Sequence, residues 1–496
     1  MPARTRIPPS RVADPEFFIT LAAILALGAV LMLRRIGDAP FWRDEIWTSS
    51  ISSRPLGGVL DVMVNRETNM GLYYLSAHGW LSFDGGEGWL RTLSVVFALG
   101  AIVMTALFVR DLLGNFWGLV SAVVLGLNPF FFYYAREARA YSMVIFMAAA
   151  LMFCFGRASA ASRIDRWKVL YGLFAVLAVY TQLLSVFLVA AHAATLALNR
   201  RITRSWVIVH MAILALVLPV VLYVLTTGGG NPDWLGRPTI GELIAFGGTA
   251  IGYDPSQPWT YLVVPVTCAV LLAAGVAAIT EDAYRPVVAR AVIAILGPVM
   301  LIWLISQAKP LFFARYMVWV LPYLIFLLVL GLSRLPSRPA LVIATCALVL
   351  LPWLSVDLDY TNQIKGEDPR AATEHVVERA QPGDVVLFRP AWTRVVYDQY
   401  LDARAKSPED VALAPGGSLL ETGDIVGREI SSAELEKALA DARRVWVVGY
   451  PESKWSITPE PARLVESKSV ESGEWILQED QDFGQLNVRL YEVPSG

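Results

Sequence analysis

The chain is poor in charge, in cysteine and in histidine, and each shortage removes a class of function. Of its 496 residues only 17% are charged while 55% are hydrophobic, which is too apolar for an ordinary water-soluble domain. The formal net charge is -2, so there is no basic excess and no case for nucleic acid as a partner. Three cysteines (Cys154, Cys268, Cys346) all lie inside apolar runs. That excludes a soluble disulfide framework and a thiolate metal cluster, and leaves them as small packing residues. Four histidines (His78, His192, His210, His375) show no metal-ligand spacing, and no tightly bound zinc is expected. No internal repeat is evident, which counts against a transporter built from duplicated halves. The first apolar run, 17–33, is followed by Arg34-Arg35 and not by a small-residue cleavage site, so a retained helix is expected there and not a signal peptide.

What is present in abundance is apolar sequence, at a mean hydropathy of +0.51. A bilayer core of about 30 Å needs roughly 20 apolar residues per helix. Eleven such runs are expected, at approximately 17–35, 90–109, 116–134, 141–156, 168–183, 185–199, 206–226, 260–279, 289–308, 316–333 and 339–356. The fifth and sixth are short and can form one broken hairpin around Thr181-Gln182. Cytoplasmic loops carry the excess of Lys and Arg. Arg4, Arg6 and Arg11, then Arg110, Arg157 to Lys168, Arg200 to Arg204, Arg285 with Arg290, and Arg334 with Arg338 occupy every second connection, with Arg34-Arg35 the exception. The long loop 36–89 and everything after 356 then lie outside. The expectation is a polytopic all-α membrane protein of about eleven spans over 1–356, in the cytoplasmic membrane, with an extracytoplasmic soluble α/β domain over 357–496. In that domain Asp368-Pro369 opens a helix, 385–388 is a buried strand, Ser431-x-x-Glu434 is a capping box, and 445–450 is another strand.

Charged groups on the outer side have no role in setting topology, and three clusters call for another explanation. The first is Phe41-Trp42-Arg43-Asp44-Glu45-Ile46-Trp47. Its bland explanation is an interfacial loop anchored by aromatics; its chemical one is a carboxylate that takes a proton from an acceptor hydroxyl. The second is Tyr133-Tyr134-Ala135-Arg136-Glu137-Ala138-Arg139-Ala140-Tyr141, between two apolar runs. It is either a structural Arg-Glu network or an anion and sugar site, because guanidinium groups grip phosphate through forked hydrogen bonds. The third is Lys309-Pro310-Leu311-Phe312-Phe313-Ala314-Arg315-Tyr316, two cations with no acid. They either snorkel to the headgroups or meet a phosphate arriving from the lipid phase.

These residues resemble the GT-C superfamily of glycosyltransferases, in the branch related to protein O-mannosyltransferases and the bacterial aminoarabinose transferase of lipid A. The resemblance is carried by Trp42-x-Asp44-Glu45, Gly71-Leu72-Tyr73-Tyr74, Arg91-x-x-Ser94, Arg136-Glu137-Ala138-Arg139-x-Tyr141, and Arg315-Tyr316 with Pro322. It implies inverting transfer from a polyprenyl-phosphate sugar to a cell-envelope acceptor (glycolipid, polysaccharide or protein), with Asp44 as catalytic base. Lys309, Arg315, Arg136 and Arg139 would hold the donor phosphate. Glu45, Glu137, Tyr134, Tyr141, Arg66 and Tyr73 are the candidates for positioning sugar or acceptor. Amphipathic helices lying on the membrane are implied within 57–80. Where relatives carry a His-Pro-Pro or Pro-Pro-Leu segment, this chain reads Glu67-Thr68-Asn69-Met70-Gly71-Leu72. No cofactor is implied; some members use a divalent cation at the acids, but Arg43 already supplies counter-charge and favours a metal-free site. The rival reading is a transporter or flippase of a lipid-linked sugar.

Overall fold

A computed structural model describes residues 14–65, 67–158, 162–227, 235–254, 256–354, 356, 366–402, 407–417, 427–450, 465 and 474–494. Each of the eleven apolar runs is helical, but the count of spans does not follow directly. Among the described residues, six helices are long and apolar enough to cross a membrane: Pro15–Leu33, Glu87–Leu113, Tyr141–Ala158, Arg204–Thr226, Pro258–Thr280 and Arg285–Ile305. The run expected as one span at 116–134 is instead Asn115–Gly126 and Pro129–Ala135, bent by 68°. The break is local chemistry. Pro129 lacks an N–H and forces the preceding residue out of helical geometry, and Asn128, extended at φ -70 and ψ 124, restarts the helix by accepting the Phe131 N–H at 3.0 Å. The fifth and sixth runs are also separate helices, Arg166–Thr181 and Ser185–Leu198, with Gln182 extended between them.

Contacts divide the chain into two compact units. The first comprises 1–34, 69–73 and 91–358. At its centre Val320–Leu332 is buried at every residue, whereas Pro15–Leu33 exposes Ile19, Leu27 and Val30 as a lipid-facing helix does. Gly331 allows the central helix to touch a neighbour backbone to backbone: a Cβ there would sit 1.9 Å from the Val270 carbonyl oxygen. Small residues at helix crossings in membranes serve this close approach. Gly331→Ala is therefore expected to lower the apparent melting temperature in detergent by several degrees, since overpacking costs about 1–3 kcal/mol. Gly275→Ala, whose Cβ would meet nothing within 4 Å, is the control. Equal melting curves for both variants would contradict this account of the crossing.

The second unit comprises 35–68, 74–90 and 359–496, so the segment after the first helix folds together with the C-terminal part of the chain. A five-stranded sheet runs in the order β2 (Glu409–Asp410), β1 (Val385–Arg389), β3 (Arg444–Gly449), β5 (Leu486–Glu492) and β4 (Ile476–Phe483). The β1 strand pairs in parallel with β2 and β3, while β5 is antiparallel to β3 and β4. Alternate residues Val385, Leu387, Val445 and Val447 face one core with Leu435, Leu439, Trp475 and Tyr491. Two helix starts follow from their caps. Asp368 accepts the Ala371 N–H at 3.0 Å, and Ser431 and Glu434 accept each other's backbone N–H at 3.4 and 2.9 Å.

Candidate functional site

In the second unit the paired acids open the helix Arg43–Ser52, with Trp42 as the residue before its first turn. Negative charge is favoured there by the helix dipole, but the two carboxylates have different tasks. Glu45 is fully buried and its Oε2 accepts the Trp42 N–H at 3.4 Å, closing its own helix end. Asp44 keeps 16% of its side chain exposed, with Arg43 Nε 4.0 Å from its Oδ1. Glu45 thus closes its own helix end, and Asp44 is the more exposed of the two acids. The next helix, Leu56–Asn65, buries Val59 and Val62 and leaves Leu56, Leu60 and Val64 exposed at four-residue spacing. An apolar stripe on one face is the form that membrane-lying helices take. Arg66 lies outside the described residues.

Around the acids stand residues that sequence reasoning missed. Glu367 accepts the Arg43 N–H at 2.8 Å through Oε1 and the Tyr450 hydroxyl at 2.5 Å through Oε2. The Arg43 guanidinium lies over the rings of Trp392 and Tyr450, at 5.4 and 5.3 Å. Phe41 N–H donates to Glu87 Oε1 at 3.1 Å and to the Tyr400 oxygen at 2.6 Å, and Tyr400 donates in turn to Glu87 at 2.5 Å. Arg370 completes this group by pairing with Glu87. Nothing in the sequence linked Glu367, Tyr400 or Tyr450 to residues more than 300 positions earlier, since no periodicity spans such a separation.

Burial pushes the Glu367 carboxyl above the usual glutamate range, against the hydrogen bonds from Tyr450 and Arg43, and the nearby Asp44 adds to the rise. The folded state therefore binds this proton more tightly than the unfolded chain does. That contribution to stability is present below the ordinary value of 4.5 and is lost as pH rises through the raised one. Glu367→Gln, which resembles the protonated acid, is expected to melt progressively higher than the wild type as pH is raised from about 4.5 towards neutrality. Thermal unfolding across that range checks it; a pH-independent gap would mean Glu367 does not titrate there.

In the first unit the second and third clusters assemble at the end of the broken helix pair. Arg136 follows Pro129–Ala135, is 1% exposed, and donates from Nη2 to the Arg34 carbonyl at 2.8 Å. Glu137 is fully buried. Arg139 N–H turns back to the Glu137 carbonyl at 2.7 Å, which completes a tight turn before Tyr141–Ala158. The Ser94 hydroxyl reaches the Arg139 carbonyl at 3.3 Å and shares a 2.9 Å hydrogen bond with Tyr73. Tyr134 packs edge-on against Tyr141 at 4.8 Å and lies in the electric field of both Glu137 and Arg315. Arg315 sits on the short turn Ala314–Met317, its guanidinium over Phe313 at 4.9 Å and Tyr316 at 5.7 Å. So Arg136, Glu137, Arg139, Tyr141, Tyr134, Tyr73 and Arg315 form one neighbourhood. Lys309 is the exception: it is exposed on the turn after Arg285–Ile305, and its ammonium makes no hydrogen bond or ion pair among the described residues. Fully buried Arg91 is a further member of the same helical unit.

Ionisable groups buried between membrane helices cost about 2.5–3.5 kcal/mol each on insertion scales, and they persist where they serve a site or pair with one another. Among the described residues no three His, Cys, Asp or Glu side chains converge as a metal site. Neither a family profile nor a curated protein sequence matches the chain. Solved structures do. ArnT from Cupriavidus metallidurans bound to undecaprenyl phosphate superposes with a TM-score of 0.62 at 12% identity, over 97% of this chain and 99% of that one. The same protein in the apo state gives 0.61 at 12% identity, over 95% and 97%.

Proposed function

We propose that this chain, which has the GT-C fold, is a membrane glycosyltransferase that moves a sugar from a polyprenyl-phosphate carrier to a hydroxyl of a cell-envelope acceptor. The observation that carries the reading is the guanidinium neighbourhood of the helical unit, with Arg136 buried and Arg139 and Arg315 half-buried. Arg136 and Arg139 stand at a break between membrane helices, and Arg315 acts on the same Tyr134. Such a group suits a phosphate that stays in the lipid phase, and the fold neighbour was crystallised with undecaprenyl phosphate. Asp44 deprotonates the acceptor hydroxyl, the oxygen attacks the anomeric carbon from the face opposite the phosphate, and the bond from that carbon to the phosphate oxygen breaks. Inversion follows. Arg136, Arg139 and Arg315 neutralise the departing phosphate, with Lys309 as an exposed further cation. Glu137, Tyr134, Tyr141 and Tyr73 position sugar or acceptor. The active side and the C-terminal sheet face the cell exterior, in accord with the distribution of Lys and Arg.

The test is an assay of purified protein in nanodiscs with a panel of radiolabelled polyprenyl-phosphate sugars and envelope acceptors, comparing wild type with Asp44→Asn. Transfer by the wild type that Asp44→Asn abolishes is expected. Saturable donor binding without turnover for every sugar would favour a transporter, and impermeant labelling of a cysteine at position 44 only from the cytosolic side would reverse the orientation.

A further inference from the structure

We propose that the C-terminal sheet of the second unit is a clamp that holds the catalytic strip, with Glu367 and Tyr400 as positioning residues for Asp44. The inference rests on the function proposed above and gives the sheet a part in it. A helix begins with backbone N–H groups that have no partner within the helix, and a Ser, Thr, Asp or Asn at the preceding position usually satisfies one of them. Here that position is Trp42, whose indole can only donate. The Arg43 N–H is instead taken by Glu367, 324 residues further along the chain. The Phe41 N–H, two residues earlier, is taken by Tyr400 and Glu87. The helix that presents Asp44 is thus capped by a distant part of the chain.

The acceptor is itself fixed by backbone geometry. Glu367 forms a bridge with Gly484, the Asp368 N–H donates to the Phe483 carbonyl at 3.1 Å, and the Gln485 N–H donates to the Gly366 carbonyl at 2.6 Å. Gly366 and Gly484 both have positive φ, and a Cβ on Gly484 would lie 2.2 Å from the Gly366 oxygen. The turn between β4 and β5 therefore sets where Glu367 stands. Tyr450, at the end of β3, orients the other carboxylate oxygen. Each link in this chain of contacts determines where the Asp44 carboxylate lies. A displacement of about 1 Å is enough to cost about a hundredfold in rate.

The experiment is kinetics on full-length protein in nanodiscs, normalised to folded protein and accompanied by amide hydrogen exchange over 41–52. Glu367→Ala is expected to lower kcat by about 10–100-fold with the donor KM within about threefold, and to speed exchange of the Arg43 amide. Glu367→Gln keeps an acceptor and is expected to stay within about threefold of wild type. Should Glu367→Ala fail to fold, Glu367→Asp keeps the charge but is one methylene too short, and about a tenfold fall in kcat is expected. Wild-type kcat and exchange in Glu367→Ala, or in Glu367→Asp where Ala does not fold, would overturn the clamp while leaving the glycosyltransferase reading intact. Equal loss in Gln and Ala would also overturn it, because acceptor geometry would then not be what matters. Full transfer by Asp44→Asn would sink the parent reading, whatever the Glu367 variants do.

Discussion

Asp44→Asn is expected to lower sugar transfer by about 10²–10⁴-fold, with donor affinity little changed. That range is what a positioned general base typically contributes. The substitution keeps size and polarity but removes the site for the acceptor proton, so the loss falls on kcat and not on binding. Its neighbour gives the contrast. Glu45 is buried and spends its carboxylate on the Trp42 amide, so Glu45→Gln, which keeps an acceptor oxygen, should retain most of the activity per folded molecule. If the two substitutions were to exchange phenotypes, the assignment of base and structural acid would have to be reversed.

The second large effect is expected at Arg315. Arg315→Ala should lower kcat/KM for the polyprenyl-phosphate donor by about a hundredfold, the loss seen when one donor to a developing oxyanion is removed. Arg315→Lys should recover little, since a point charge does not reproduce a planar fork held between aromatic rings, here those of Phe313 and Tyr316. Lys309→Ala should change the same constant by less than about threefold, because its exposed ammonium is screened by solvent. Steady-state kinetics with donor as the varied substrate checks both. Unchanged constants in Arg315→Ala would remove the third cluster from the phosphate site.

Much of this was legible in the chain, for reasons that can be named. Helices in lipid must be long and apolar, so composition located the helices of the eleven runs but not the shorter apolar helix Ile240–Ala250 in the expected loop 227–259, and the Asp368-Pro369 and Ser431-x-x-Glu434 starts were readable because their chemistry lies within four residues. The 68° bend at Asn128-Pro129 was missed because an apolar run hides a break that depends on two residues. The clusters were visible because an ionisable residue between apolar runs is costly at membrane depth and so conspicuous. Lys309 was grouped with Arg315 on proximity in sequence, but six residues separate a half-buried guanidinium with an aromatic surround from an exposed ammonium. The distinction between Asp44 and Glu45 could not be read, since it depends on which side chain curls back onto the helix start. The role of Glu367 was equally hidden, being a contact between chemically ordinary residues far apart in the chain.

That contact has a consequence for biogenesis. The segment bearing Asp44 emerges from the ribosome early, but the carboxylate that finishes its first turn is made only after all the hydrophobic helices. On the function proposed, a nascent polypeptide can therefore insert and pack these helices within the bilayer before Glu367 and the strands that seat it exist, so that competence for chemistry follows theirs.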